Sequence, residues 1–181
     1  MALTGGSHEL GPASGHLLVR TGRSGLGRRA GHDLTLEATR WSAHADVDPA
    51  EPANSTVTAE IEVESLEVKE GAGGVMPLTD VDRAEIVKNI RSKVLYTSAH
   101  PTITFRSTNV EGTPASFTVE GDLTIMGVTR PVTVRGQVSG ARLTASATVV
   151  QSRWGIKPFS ALFGQLRVAD AIEIELDLAA P

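Results

Sequence analysis

The sequence predicts a mainly β fold, an eight-stranded antiparallel barrel with one amphipathic helix inserted between the third and fourth strands. Apolar and polar residues alternate over several segments, which is typical of strands with one buried and one solvated face. Turns that contain glycine or proline separate these segments. One stretch, over about 80–95, instead has apolar residues at helical spacing after a threonine and aspartate capping signal.

Three consecutive strands between residues 100 and 138 form the centre of the predicted sheet. Turn signals at 111–114 and at Met126-Gly127 join them as antiparallel hairpins. Their apolar residues fall on one face, which we expect to line the interior. These residues are Ile103, Phe105, Phe117, Val119, Leu123, Ile125, Val132 and Val134.

The strands before this centre are predicted at 16–21, 32–47 and 57–64. In the second of them the apolar positions change from even (Leu34, Leu36) to odd (Trp41 onward), which predicts a β-bulge near Thr39-Arg40. In the third, Ile61 and its alternate neighbours face inward, and the intervening glutamates form a solvated face.

Two further strands are predicted at 142–149 and 172–178. The connection 154–164 between them is unusually apolar, so we expect it to fold over the barrel or line its mouth.

Because a chain of 181 residues can enclose one core, the strands are assigned to a single domain, 15–181. Residues 1–14 are rich in Gly, Ser and Pro and are predicted to be a flexible tail.

The runs HPTITFRS at 100–107, GDLTI at 121–125 and GVTRPV at 127–132 resemble the signature of the YceI-like family of polyisoprenoid-binding, lipocalin-like proteins. The resemblance implies a lipocalin-like barrel that holds an isoprenoid lipid, such as a quinone or a polyprenyl lipid, with the helix across one end. It also favours a homodimer. The chain departs from the family at 153–156, where Arg-Trp-Gly-Ile replaces an Arg-Asp-Phe-Gly-like stretch.

The predicted ligand-binding residues combine inward strand positions with the apolar connection. They are Leu34, Leu36, Ile61, Ile103, Phe105, Val119, Leu123, Ile125, Val132, Val134, Trp154, Phe159 and Phe163. A loop at 22–31 contributes three predicted head-group residues, Arg23, Arg28 and Arg29, if it borders the mouth. Residues 25–30 of this loop match a dinucleotide-binding pattern, but a strand follows where that pattern requires a helix. A plain mobile hairpin loop is the alternative.

Composition limits the function classes. The 17 basic and 21 acidic residues give a net charge of −4, which argues against nucleic-acid binding. The chain has no cysteine and no run of 18 apolar residues, so we expect neither thiol chemistry nor a transmembrane segment. The first residues lack the basic start and apolar run of a signal peptide, which predicts a cytoplasmic location.

The sequence offers no catalytic constellation. Its five histidines are scattered without metal-ligand spacing, and its carboxylates fall mostly on polar strand faces. We therefore predict a non-catalytic protein with no metal and no cofactor. The partner that the family resemblance implies is a bound isoprenoid lipid. The alternatives are an enzyme acting on an isoprenoid-like apolar substrate and a ligand-free structural or stress-response module, with the barrel filled by its own side chains.

Overall fold

The computed structural model describes residues 2–161 and 166–181 of the chain. Among these residues, eleven strands form one antiparallel sheet and three short strands form a second. The large sheet contains β1 (Gly6–Leu10), β2 (Gly15–Arg20), β4 (Asp33–Ala38), β5 (Trp41–Val47), β6 (Thr56–Glu62), β7 (Leu66–Ala72), β8 (Thr102–Thr113), β9 (Ser116–Ile125), β10 (Val128–Ser139), β11 (Arg142–Val150) and β14 (Ala171–Ala179). The small sheet contains β3 (Arg23–Ser24), β12 (Ser160–Ala161) and β13 (Leu166–Val168).

The large sheet curls into a half-barrel. Its strand order is β1-β5-β6-β8-β9-β10-β11-β14-β2-β4-β7, so β4 and β5 lie near opposite ends of the order. Yet only Thr39 and Arg40 separate these two strands along the chain. Thr39 N–H donates to Ser65 O, and Glu62 N–H donates to Arg40 O, both at 3.1 Å. These two hydrogen bonds stabilise the bend. Because β4 and β5 are joined at this bend, the sheet has to curve round on itself.

The strand count corrects the predicted eight. The break at Thr39-Arg40, where the apolar positions change parity, divides the predicted second strand into β4 and β5. A 3-10 turn at Val63–Ser65 likewise separates β6 from β7. The sequence did not predict β7, because Glu67, Lys69 and Glu70 make this strand polar.

The predicted tail also contains a strand. Gly6–Leu10 forms β1 and pairs with β5, with Leu10 opposite Ala43 and Glu9 opposite His44. The prediction of a flexible segment over 1–14 is therefore corrected for these residues. Pairing at the edge of the sheet, rather than any apolar run within the segment, holds it in place.

The described residues include one α-helix, α1 (Asp80–Asn89), which continues as a π-helical turn over Ile90–Val94. A capping box begins it, because the Thr79 side chain accepts from Asp82 N–H and the Asp82 carboxylate accepts from Thr79 N–H. Seven strands precede α1 in the chain, which corrects its predicted position between the third and fourth strands.

Tight hairpins keep the central strands in register. Met126 and Gly127 connect β9 to β10, and both have positive φ angles, 50° and 75°. A two-residue turn with positive φ at both positions matches the twist of the paired strands, and glycine adopts this conformation without strain. Ile125 therefore lies opposite Val128 and Val119 opposite Val134. This register places the apolar residues of β9 and β10 on the same face.

Candidate ligand-binding cavity

The inner face of the curled sheet encloses two apolar cavities. The first, which we call the turn compartment, has a volume of about 230 Å³ and ends at the β5–β6 connection and the β8–β9 turn. Most of its lining residues are apolar and come from alternate positions of β5, β6, β9, β10, β11 and β14. The polar residues of its lining are Asp46, Asp48, Ser55 and Thr113.

The second cavity, the helix compartment, has a volume of about 250 Å³. Ile86 and Ile90 of the helical segment contribute to its lining, and Leu34 and Leu36 of β4 and Ile103 of β8 contribute from the sheet. Its polar lining residues are Thr21, Asn89 and Gln151, none of them charged. The apolar side of the helix therefore covers this part of the interior, as the spacing of its isoleucines indicates.

The two compartments abut at a common wall. Five residues line both of them, namely Leu17, Ile61, Leu123, Val149 and Ile174. Each comes from a different strand, so the wall crosses the interior from one side of the sheet to the other. These side chains are the ones that a ligand extending through both compartments would contact.

Most predicted ligand-binding residues lie on these cavities. The turn compartment is lined by Phe105, Val119, Val132 and Val134. The helix compartment is lined by Leu34, Leu36, Ile103, Ile125 and Phe159, and both compartments are lined by Ile61 and Leu123. Phe163 lies outside the described residues. The sequence reasoning missed Leu17 of β2, Val149 of β11 and Ile174 of β14, although the same alternation of apolar residues places them on the inner face.

Trp154 is the predicted residue that the structure places elsewhere. It lines neither compartment and is 2% exposed within a cluster that includes Val149 and Ile156. Its indole Nε1–H donates to the carbonyl oxygen of Leu123 at 2.8 Å. Trp154 therefore supports the backbone of β9 without lining a compartment, because its polar ring nitrogen needs a partner when buried and finds it on the strand.

The three arginines of the 22–31 loop also line neither compartment. Arg23 is occupied within the protein, since its Nε donates to Asp33 at 2.9 Å and its guanidinium also donates to Arg28 O at 3.1 Å and Gly31 O at 2.6 Å. Arg28 and Arg29 are exposed on a short 3-10 turn. Within the described part of the chain neither has an ion pair, so they differ in kind from Arg23.

The two ends of the interior differ in charge. At the turn compartment, hydrogen bonds from Glu51 N–H and the Asn54 side-chain amide hold the pKa of Asp48 below its ordinary value, so this carboxylate is ionised at neutral pH. Near the helix compartment, Arg20 and Arg23 pair with Glu175 and Asp33, whereas Arg28 and Arg29 have no ion pair among the described residues. An anionic group is therefore disfavoured at the first end and favoured at the second.

The volumes set the capacity of the interior. An apolar cavity of about 150 Å³ holds benzene, which corresponds to about 25 Å³ for each carbon atom. On this scale each compartment accommodates about nine or ten carbons, which is about two isoprenoid units. A ligand that spans both compartments would therefore place about four units inside the protein.

The fold and the cavity define a class of protein in which a curled antiparallel sheet surrounds an apolar interior. The model of the YceI-like domain family matches residues 20–180. The chain therefore belongs to the YceI-like family, which confirms the resemblance seen in the sequence. Across the described residues, no helix has the length and apolar character needed to cross a bilayer.

Sequence relatives are similar over part of their length. A UPF0312 protein of Pseudomonas aeruginosa is 37% identical over 89 residues, which cover 43% of this chain and 47% of the relative. Protein YceI of Escherichia coli is 40% identical over 62 residues, which cover 34% of this chain and 32% of the relative. The chain thus aligns with about half or less of the length of these curated relatives.

Solved structures are similar over most of the chain. BcnA of Burkholderia cenocepacia superposes with a TM-score of 0.63 at 20% identity and covers 91% of this chain and 96% of its own. The YceI protein of Campylobacter jejuni superposes with a TM-score of 0.60 at 15% identity and covers 80% and 82%. At these identities the likeness shows the fold alone.

Proposed function

We propose that this protein binds or carries an isoprenoid lipid, of the polyprenyl or isoprenoid-quinone type, and catalyses no reaction on it. The observation that carries the proposal is the pair of abutting apolar compartments with a shared wall. An interior filled by its own side chains would not leave two volumes of this size. A long, thin apolar ligand fits them better than a compact one, because the space is divided along its length.

The polar groups of the lining support binding rather than catalysis. Among the described residues, the titratable side chains that line the compartments are Asp46 and Asp48, both at the end of the turn compartment. Asp48 accepts hydrogen bonds from its own turn and Asp46 lies 3.3 Å from His44 Nε2, so both carboxylates already have partners. An acid–base catalyst would need a pair of groups directed at the substrate.

The charge difference supports one orientation of the ligand. Carboxylates at the turn compartment repel a phosphate or pyrophosphate head group, whereas the arginine-rich loop lies towards the other end. The tail would therefore lie across the shared wall with its end in the turn compartment. The head group would remain near the helix compartment, at the surface.

Native mass spectrometry of the protein purified from cells, followed by organic extraction, tests the proposal. We expect a population with added mass and an extract that contains a lipid built of isoprenoid units. A protein that carries no added mass after purification, and none after incubation with an isoprenoid quinone or a polyprenyl phosphate, would contradict the proposal. The homodimer favoured by the family resemblance stays a prediction, which light scattering on the same sample would test.

A further inference from the structure

Four large apolar side chains on neighbouring segments are exposed at one end of the molecule. Leu26, Val75, Met76 and Val81 are 95%, 81%, 73% and 77% exposed, and we call these four residues the apolar rim. Single exposed apolar residues are common, but several on neighbouring segments mark a surface that contacts something apolar.

The segments that carry the apolar rim lie side by side. The loop 25–31 leads directly into β4 and the loop 73–78 leaves β7, and these strands are paired, with Asp33 opposite Ala72 and Leu34 opposite Gly71. The two loops therefore emerge at the same end of the sheet. His32 Nε2–H donates to Met76 O at 2.7 Å and connects them. Val81 follows in the first turn of α1.

The apolar rim is close to the helix compartment. Leu34, at the start of β4, lines that compartment, and Thr21 N–H donates to Leu34 O at 2.9 Å beside it. Ile86, which also lines it, lies five residues after Val81 in α1. The rim therefore borders the end of the interior where the proposed ligand keeps its head group.

Basic residues accompany the apolar rim. Arg28 and Arg29 are exposed in the same loop as Leu26, and no ion pair engages either of them within residues 2–161 and 166–181. The acidic residues of the neighbouring helix start are Asp80 and Asp82, of which Asp82 caps the helix through Thr79. Apolar side chains beside free arginines are complementary to a bilayer with anionic head groups, where apolar groups enter the interface and arginines contact phosphates.

We propose that the apolar rim, with Arg28 and Arg29, docks this protein on an anionic lipid bilayer so that the helix compartment faces the membrane. The inference rests on the proposed function, because a protein that holds a membrane lipid has to exchange it with a bilayer. It assigns the two arginines to the head groups of the membrane, at the same end of the interior where the proposed ligand keeps its head group. Their exposed positions outside both compartments fit this role.

Co-sedimentation with vesicles that contain no isoprenoid lipid tests the docking surface apart from ligand uptake. One set of vesicles is phosphatidylcholine, and the other is phosphatidylcholine and phosphatidylglycerol in equal parts. We expect the protein to bind the second set more tightly and to lose that advantage as salt is added. Failure to bind either set would overturn the proposal.

Two variants identify the surface. Replacing Leu26, Val75 and Met76 together by serine should weaken binding to the anionic vesicles by at least about tenfold, because their apolar area no longer enters the interface. The matched control is Tyr96→Asn, an exposed aromatic residue beyond the C-terminal end of the helical segment, whose positive φ asparagine tolerates. Equal binding by the serine variant and the wild-type protein would contradict the proposal.

The arginine variant tests the electrostatic part. R28Q/R29Q should bind the anionic vesicles about fivefold more weakly for each arginine removed, roughly 25-fold in total, with little change on phosphatidylcholine. R106Q/R135Q is the control, since it removes the same charge from exposed positions of β8 and β10. Equal losses in both variants would show that only net charge matters and would overturn the assignment to this loop.

The cavity variant Leu123→Trp separates this inference from the proposed function. Leu123 lies on the wall between the compartments, away from the apolar rim. If the protein carries no lipid yet docks through the rim, the proposed function fails and the docking surface stands. If it carries lipid but the vesicles do not bind it, the docking surface fails alone.

Discussion

The indole Nε1–H of Trp154 donates to the backbone carbonyl of Leu123 at 2.8 Å, so a buried tryptophan supports the strand residue that lines both compartments. Trp154 lies in the 3-10 turn Gln151–Trp154 that follows β11, and Leu123 lies in β9. This hydrogen bond joins two parts of the chain that are 31 residues apart. Within the departure from the family at 153–156, Trp154 therefore has a structural role, whereas Ile156 lines the helix compartment.

Trp154→Phe should lower the free energy of unfolding by about 1 to 3 kcal/mol, because a buried hydrogen bond is lost and a smaller ring fills the site. Chemical denaturation measures this. Trp41→Phe is a matched control, since Trp41 is also buried but its Nε1 has no partner among the described residues. We expect Trp41→Phe to cost less, because it removes a donor that is already unsatisfied. A larger cost for Trp41→Phe would contradict this account of Trp154.

Leu123→Trp should abolish lipid uptake while far-UV circular dichroism remains that of a β protein, because the larger ring fills the wall between the compartments. Leu123→Phe should reduce uptake partially. Asp122→Trp is the control, as it places the same ring on the exposed face of the same strand. Unchanged uptake in a folded Leu123→Trp protein would show that the ligand lies elsewhere.

Much of the cavity could be predicted because it depends on local alternation. Ile103 and Phe105 of β8 and Leu123 and Ile125 of β9 reach the interior through the period of two along each strand, which the sequence displays directly. The parity change at Thr39-Arg40 likewise indicated where the chain bends. These features need no knowledge of which strands are paired.

Features that depend on distant pairing could not be predicted. β1 is short and mostly polar, and its place in the sheet comes from pairing with the distant strand β5. Trp154 belongs to an apolar connection, and nothing in its sequence distinguishes a residue that packs beside the cavity from one that lines it. The pairing of Arg23 with Asp33, which separates it from Arg28 and Arg29, depends on the loop geometry and not on the sequence pattern.

Gly121→Ala should destabilise the protein by about 1 to 3 kcal/mol through overpacking. A methyl group at Gly121 would overlap the ring of Phe105 and lie 2.7 Å from the carbonyl oxygen of Arg106. Gly22→Ala is the matched control, since its nearest neighbour would be 3.6 Å away, an ordinary contact. Thermal unfolding of both variants measures the difference. Equal stability of the two would mean that Phe105 moves freely and does not define the wall of the turn compartment.

The pKa of His44 should lie above its ordinary value of 6.5, because two carboxylates favour its charged form. The larger effect comes from Glu9, whose carboxylate lies 2.6 Å from Nδ1, and the smaller from Asp46. A raised pKa in the folded state means that the contact between β1 and β5 adds stability that is fully present below pH 6.5. This contribution is lost as the pH rises through the folded value. NMR titration of the His44 ring measures the pKa, and Glu9→Gln should lower it. An unchanged pKa in Glu9→Gln would contradict the assignment.

The dependence of affinity on tail length tests the central claim most directly. Ligands with one head group and increasing numbers of isoprenoid units are compared by displacement of a fluorescent lipid. Each added unit that enters the interior buries roughly 0.8 kcal/mol per carbon, about 4 kcal/mol gross before ordering losses. We predict a steep rise in affinity that stops at about four units, where the two compartments are full. A flat series from the shortest tail onward would contradict binding in this cavity.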